Sequence, residues 1–439
     1  MSRAPVAESW LRAVREATAA DAADPLASLR KRFEMPFGDN GVERVYLCGH
    51  SLGLLPRDAR RLIAEELDDW ARLGVEGHHR ARRPWIDYAE LLRDDLALLA
   101  GARPAEVVAM NSLTVNLHLL MASFYRPEGR RRLIVIESGA FSSDRHAVVS
   151  QLQWHGLTEA DALLEVAPAA GEDLIDLAQL EAVLRERSDE VALVLWPGVQ
   201  YRTGQAFDLA RVAQAAHAAG ACCGFDLAHA MGNTPLSLHD AGADFAVWCG
   251  YKYLNGGPGA LAGAFVHAHH DRAALPRLAG WWGHDPDTRF RMEPGFVPAP
   301  GAAGWQLSNP PILAAAPLLA SLALFREAGL ANLQAKAQSL GTMLERGLQA
   351  LSTDLEIVTP LAPGSRGCQL SVRVRAGREA GRRLFAALEA QGIVADWREP
   401  DILRFAAVPL YNTHGDVALL LRALGDSLAS AAAAAGSGT

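Results

Sequence analysis

The sequence predicts an α/β fold: a mostly parallel sheet in a large domain flanked by helices, plus a smaller α+β domain. Three observations predict it. Between residues 106 and 266, short apolar runs alternate with helix-length segments, the pattern of a parallel sheet with crossover connections. Near Pro310-Pro311 that alternation stops, and two long helical segments follow. Two apolar runs also end in polar groups, Phe225-Asp226-Leu227-Ala228-His229 and Trp248-Cys249-Gly250-Tyr251-Lys252-Tyr253. If these strands lie parallel in one sheet, a carboxylate and an amine leave the same carboxyl edge, where open α/β sheets bind ligands.

The elements follow in order. Residues 7–32 alternate apolar and charged positions at helical spacing, a short strand covers 44–47, and Gly49-His50-Ser51-Leu52-Gly53 breaks the chain. Pro56-Arg57-Asp58 opens a strongly amphipathic helix that runs to about Leu73. Strands of the large sheet are expected at 107–110, 133–136, 163–166 and 191–196, before Asp226, before Tyr251, and at 261–266. Asn111-Ser112-Leu113-Thr114 is a turn that leads into a helix over 115–125. Past the paired prolines, 312–330 and 334–350 read as helices, 368–372 as a strand, 379–391 as a helix, and 393–394 and 403–405 as strands. The expected division is an N-terminal segment 1–55 packing with the small domain, a large domain 56–309 and a small α+β domain 310–426. The Ala, Ser and Gly of 427–439 predict a frayed helix end and a disordered tail.

Bulk properties exclude several classes. A net charge of −8 over 439 residues argues against non-specific nucleic-acid binding. Arg130, Arg131 and Arg132 are the densest basic run and read as a solvated loop before a strand. The five cysteines, Cys48, Cys222, Cys223, Cys249 and Cys368, form no CxxC pair, so reduced thiols in a cytoplasm are the simplest account. The N-terminus has no apolar h-region, and no stretch approaches the ~18 apolar residues of a membrane span.

A carboxylate facing a ring nitrogen and a lysine able to form an imine are what pyridoxal phosphate requires of a protein. Either residue alone has a plainer meaning, a helix cap for Asp226 and a surface amine for Lys252. The pair, with His229 and Tyr251 beside it and Gly256-Gly257-Pro258-Gly259 after it, favours the cofactor. The glycines allow close backbone approach to a ligand but do not have the spacing of a dinucleotide fingerprint. Asn111 to Thr114 between a strand and a helix suits a phosphate, or ordinary capping by Ser112 or Thr114. In Phe141-Ser142-Ser143-Asp144 the aromatic could stack on a flat ring, or belong to the core. His78-His79 and His267-Ala268-His269-His270 could suggest metal, but no carboxylate or cysteine stands at ligand spacing, so no metal is expected. Trp281-Trp282-Gly283-His284 is either core packing or a ring-binding wall, and Arg404 either a carboxylate grip or a surface ion pair.

With these residues in view, the chain resembles the kynureninases, fold-type I pyridoxal phosphate enzymes. The specific stretches are NSLTVNLHLL from Asn111, FDLAHAMG from Phe225, DFAVWCGYKYLNGGPG from Asp244, GWWGH from Gly280 and SNPP from Ser308. The resemblance runs from Tyr46 to Asn412, most of the chain. It implies that Lys252 is the Schiff-base lysine, that Asp226 pairs with the pyridine nitrogen, and that His229 sits near the cofactor. It implies that Leu113 and Thr114 hold the phosphate with Tyr251, that Phe141 stacks on the ring, and that Asp144 belongs to the same loop. Trp281 and Asn309 would reach the cofactor site across a homodimer interface, Arg404 would bind the substrate α-carboxylate, and Ser51, His78 and Ser308 would line the substrate pocket. Two positions depart from the family pattern: His50 stands where asparagine is common, and Gly250 where serine or threonine is common.

The activity implied is hydrolysis of L-kynurenine, or its 3-hydroxy form, to an anthranilate and L-alanine. Lys252 would be the base for the α-proton and Tyr251 the general acid/base of the later steps. Such an enzyme belongs to tryptophan catabolism along the kynurenine pathway or to NAD biosynthesis. Three other readings share parts of this pattern. A cysteine desulfurase or selenocysteine lyase needs a mobile nucleophilic cysteine, for which Cys368 is the candidate. An aminotransferase leaves the 280–284 and 308–311 stretches unexplained. A silent cofactor-binding regulator usually carries a DNA-binding domain, and no basic recognition helix is visible in the first hundred residues.

Overall fold

The larger of two compact units is built on the strands expected from the apolar runs. The computed structural model describes residues 4–271 and 274–436. One unit comprises Asp58–Tyr201 and Ala206–Leu322; the other comprises Met1–Arg57, Arg202–Gln205 and Ala323–Thr439. The larger unit holds β1 (Val107–Ala109), β2 (Leu133–Glu137), β3 (Leu163–Val166), β4 (Val191–Pro197), β5 (Cys222–Asp226), β6 (Phe245–Trp248) and β7 (Gly263–Val266). They form one seven-stranded sheet in the order β1-β7-β6-β5-β4-β2-β3. Strands β3, β2, β4, β5 and β6 run parallel, and β7 is antiparallel to both neighbours.

The central strands are apolar on both faces because helices cover both. Every residue of β2 and of 191–196 in β4 is buried. Leu113–Phe124, Ser142–Trp154, Leu177–Glu186 and Leu209–Ala218 are the crossover helices. Space between β5 and β6 is tight: a Cβ at Gly224 would lie 2.1 Å from the Phe245 ring, its partner in register. The register also sets Asp226 opposite Val247, which fixes the relative heights of the two strand ends.

The smaller unit carries a four-stranded antiparallel sheet, β8 (Leu355–Ile357), β9 (Gln369–Val374), β10 (Asp396–Arg398) and β11 (Ile402–Ala406), in the order β8-β9-β11-β10. Its core includes Leu340, Leu344, Leu370, Phe405 and Leu420. The N-terminal strand Val45–Tyr46 pairs in parallel with Ile393–Val394 in this same unit. A buried Lys336–Asp24 ion pair at 2.8 Å ties the N-terminal region to the helix Leu330–Gln349.

Three expectations differ from the structure. The first helix spans Ala4–Ala22 and a separate 3₁₀ turn covers Ala27–Arg32. Pro25 separates them, and the Leu26 amide bonds the Asp24 carboxylate at 2.8 Å instead of continuing a helix. The unit boundary falls between Leu322 and Ala323, inside the helix Ile312–Ala328, not before residue 310. The start of that helix belongs to the larger unit, where Ser321 accepts from Asn255 Nδ2 at 3.3 Å. Residues 427–436, expected in a disordered tail, continue the helix His414–Gly436, as a run of alanine, the best helix former, allows. Residues 437–439 lie outside the described residues. Among the described residues, no single helix is long and apolar enough to cross a membrane.

Candidate active site

The end of β5 delivers a buried carboxylate. Asp226 Oδ1 accepts the Ala228 amide at 2.7 Å, so the strand end folds back over its own side chain. The turn after β6 brings Lys252 Nζ to 3.0 Å from His229 Nε2 and 5.7 Å from the centre of the Phe141 ring. Phe141 in turn meets Tyr201 edge-on at 5.2 Å. The chain has three lysines, Lys31, Lys252 and Lys336, and Lys252 alone belongs to the larger unit.

Two further carboxyls lie behind Asp226. Burial pushes Glu137, the last residue of β2, up to about 8; a Gln200 bond opposes this and the Asp226 charge adds to it. Asp144 is raised well above the carboxylate range, by burial first and then by Asp226. Asp144 therefore keeps its proton and donates it to Asp226. Burial also raises Asp226, against the Ala228 amide, Lys252 and Asp144. Glu137 Oε2 and Asp144 Oδ1 find no hydrogen-bond partner among the described residues. This acid cluster is short of positive charge, and a protonated ring nitrogen at Asp226 fits it.

The turn from Asn111 to Thr114 has a distinct geometry. Asn111 takes φ 50°, and its Nδ2 bonds Asn116 Oδ1 at 2.9 Å, which turns the chain sharply into the helix. Neither Ser112 before Leu113–Phe124 nor Phe141 before Ser142–Trp154 caps its helix with a side chain. Thr114 Oγ1 and Ser143 Oγ lie 2.7 Å apart, so two helix starts and two hydroxyls meet. That arrangement suits an anion better than ordinary capping does. Leu113, in the first turn of the same helix, is partly buried against the sheet core.

Tyr251 is half-buried, and burial, then Cys249, push its phenol up to about 12. It holds its proton at neutral pH, so it is equipped to donate one. Gly250 cannot be larger: a Cβ there would lie 2.2 Å from the Leu261 carbonyl oxygen.

The remaining expected residues divide by unit. In the larger one, His78 meets Trp85 edge-on at 5.6 Å. Trp281 is 43 % exposed, donates from Nε1 to Arg289 O at 3.0 Å and meets Phe290 edge-on. Ser308 and Asn309 are exposed. In the smaller unit, the Ser51 amide bonds Cys48 O at 2.9 Å. Arg404 is wholly buried and sits opposite Asp396 across β10 and β11. Its Nε donates to Asp396 Oδ2 at 2.7 Å and a second nitrogen pairs with the same oxygen, so it is no surface ion pair. Arg398 Nε lies 3.0 Å from that oxygen and His50 Nε2 lies 3.8 Å from it. Burial raises Asp396, but His50 and Arg404 outweigh it and hold the carboxyl at about 2.

Sequence reasoning missed Asp396, Glu137, Gln200 and the role of Ser143. Glu137 alone had a signal, a polar residue ending an apolar strand. The others depend on register or on long-range apposition.

A protein from Xanthomonas campestris pv. campestris (strain B100) bearing the name kynureninase is 57 % identical over 402 residues, covering 91 % of this chain and 95 % of that one. The chain belongs to the kynureninase family. A kynureninase of Xanthomonas euvesicatoria pv. vesicatoria (strain 85-10) is likewise 57 % identical over 403 residues, at 91 % and 95 % coverage. The kynureninase C-terminal domain matches residues 333–424. Solved structures share the fold at low identity. A C-DES mutant with glycine covalently linked to its PLP cofactor has a TM-score of 0.75 at 20 % identity, covering 90 % of this chain and 99 % of that one. The cysteine desulfurase CsdA of Escherichia coli has a TM-score of 0.73 at 19 % identity, at 92 % and 98 % coverage. The sheet is thus that of fold-type I pyridoxal phosphate enzymes. Within this kynureninase family member, Cys368 is buried at the start of β9, no place for a mobile nucleophile.

Proposed function

We propose that this chain is a pyridoxal 5'-phosphate-dependent kynureninase. It cleaves the Cβ–Cγ bond of L-kynurenine or 3-hydroxy-L-kynurenine hydrolytically, giving anthranilate or 3-hydroxyanthranilate and L-alanine. The observation that carries this reading is the 57 % identity over 91 % of the chain to a kynureninase. The charge-poor carboxyl cluster beside Lys252 supports the cofactor. When bound, the cofactor supplies an electron sink for negative charge on the substrate carbons.

The chain's own residues then divide the work. Asp226 would keep a proton on the ring nitrogen, with Asp144 behind it. Phe141 would stack on the ring, and His229 would orient Lys252. Leu113, Thr114 and Tyr251 would hold the phosphate. Lys252 moves the α-proton, and Tyr251 donates a proton at the departing carbon. Arg404 takes the substrate α-carboxylate, and Asp396 sets the plane of its guanidinium. His78, Trp281 and Asn309 would lie near the aryl end, and Ser51 and Ser308 would belong to the substrate pocket. The exposure of Trp281 and Asn309 supports a homodimer in which these residues complete the partner's site. Five free cysteines support a cytoplasmic location. The reaction places the enzyme in tryptophan catabolism along the kynurenine pathway, with a supply to NAD biosynthesis as one outlet.

Purified protein incubated with each kynurenine should release the matching fluorescent anthranilate and one alanine per turnover. Release of sulfur from cysteine without any anthranilate would replace this reading with the desulfurase one.

A further inference from the structure

The histidine run at 267–270 has no role in the proposed reaction, and chain spacing offers it no carboxylate. The fold supplies one. Asp244, buried just ahead of β6, collects three imidazoles from two other elements. His269 Nε2 lies 3.1 Å and His270 Nε2 2.8 Å from its Oδ1, and His217 Nε2 lies 2.9 Å from its Oδ2. We infer that Asp244, His269 and His270 form a binding site for a zinc-class divalent cation, which clasps the sheet to the turn after β7, while His217 holds the second oxygen of Asp244.

The donor set is two imidazole nitrogens and one carboxylate, the borderline N/O chemistry that zinc takes, with a fourth position left to water. Both rings present the same atom, Nε2. With metal–ligand bonds of about 2.0–2.1 Å, ligand atoms around a tetrahedral zinc stand roughly 3.3 Å apart. The ligand atoms of Asp244, His269 and His270 lie within 4.8 Å of one another, and the two imidazole–carboxylate separations need to open by only a few tenths of an ångström. His269 and His270 are consecutive, and both turn Nε2 to the same carboxylate oxygen. Their ring centres are only 3.9 Å apart.

Surrounding contacts hold the ligands in place, as outer contacts do at metal sites. The Cys223 amide bonds Asp244 Oδ2 at 2.7 Å. The His269 amide bonds His267 Nδ1 at 3.1 Å, and the Ala268 amide bonds Glu106 Oε1 at 2.9 Å. Phe124 packs edge-on against His270 at 4.9 Å. The His269 side chain is 45 % exposed, so an ion has an open path. The neighbouring group of Glu106, His239 and His267 is a poorer candidate, because His267 Nδ1 already accepts the His269 amide.

The test uses untagged, cofactor-loaded protein stripped with a chelator and titrated with zinc chloride by calorimetry. One zinc per chain should bind, and the melting temperature should rise with zinc. His269→Ala, partly exposed and so tolerable to the fold, should weaken binding at least about tenfold, and His269→Ala combined with His270→Ala makes the double variant. The double variant should lose the site, His239→Ala should keep it, and all should retain metal-free enzymatic activity. Absence of saturable binding to the wild type, or unchanged binding to the double variant, would overturn the proposal.

Discussion

His50 is where this chain leaves the family pattern at a buried position, and its titration can be isolated. It is fully buried, and burial, then the Arg404 charge, hold its imidazole at about 3, against an ordinary 6.5. The 3.8 Å approach to Asp396 is therefore not an ion pair at neutral pH. Since the folded value lies below the unfolded one, the unfolded chain takes up the proton first as the medium acidifies. Stability from this group is complete above about pH 6.5 and is lost progressively as pH falls toward about 3. At ~1.4 kcal/mol per unit, His50 alone removes about 2 kcal/mol between about pH 7.5 and about pH 5. Asp396, held at about 2, contributes in the opposite range: its share is lost only as pH drops from its ordinary 3.8. It does not interfere in the chosen window. His50→Asn keeps a polar side chain but cannot titrate there. Urea unfolding of both proteins at the two pH values gives four free energies. The variant's loss on acidification should be smaller than the wild type's by about 2 kcal/mol. Equal losses would show that the imidazole titrates normally and that burial does not control it.

Three other outcomes are expected. Gly250→Ser drives a Cβ into the Leu261 carbonyl and should destabilise the protein by about 1–3 kcal/mol, seen as a lower urea midpoint; an unchanged midpoint would mean that the turn shifts freely. Cofactor-loaded protein should be yellow, and borohydride should fix the cofactor to Lys252 and not to Lys31 or Lys336; Lys252→Ala should be colourless. Arg404→Lys should lose at least about tenfold in kcat/KM with cofactor absorbance unchanged, since charged hydrogen bonds contribute roughly 1.5–3 kcal/mol each; wild-type kcat/KM in Arg404→Ala would move the carboxylate grip to another residue.

The parts legible in the sequence are those that neighbours along the chain decide. Strands β2 and β4 were readable because helices on both faces require unbroken apolar runs. Asp226 and Lys252 stood out because each interrupts such a run at its carboxyl end. The Asp396–Arg404 pair was not legible. It depends on the register of β10 against β11, and a slip of one residue would send the two side chains to opposite faces. Thr114 and Ser143 are 29 residues apart and meet only because their crossover helices start at one edge. Asp244 lies 25 and 26 residues before the two histidines it collects, so spacing rules for metal ligands could not find it.

The same distinction explains why the acid cluster is the most telling part of the site. A buried polar atom without a partner costs about 1–3 kcal/mol. Glu137 and Asp144 each carry one, and both sit on the strand edge that holds the larger unit's only lysine. Stability alone favours replacing such groups with apolar ones of similar size. The value of Asp144 has to come from what it does to Asp226. Asp144, keeping its proton, donates to Asp226, so the negative charge of the trio settles on Asp226, in front of the other two. A cationic ring nitrogen arriving there meets an anion already oriented by the Ala228 amide. Glu137→Gln removes a titrating group but keeps the Gln200 contact within reach, and should leave the cofactor's affinity nearly intact. Asp144→Ala removes the donor to Asp226 and should weaken cofactor retention on dialysis by at least about fivefold, one charge-assisted hydrogen bond's worth. Equal retention in both variants would mean that Asp226 holds its charge without help from behind.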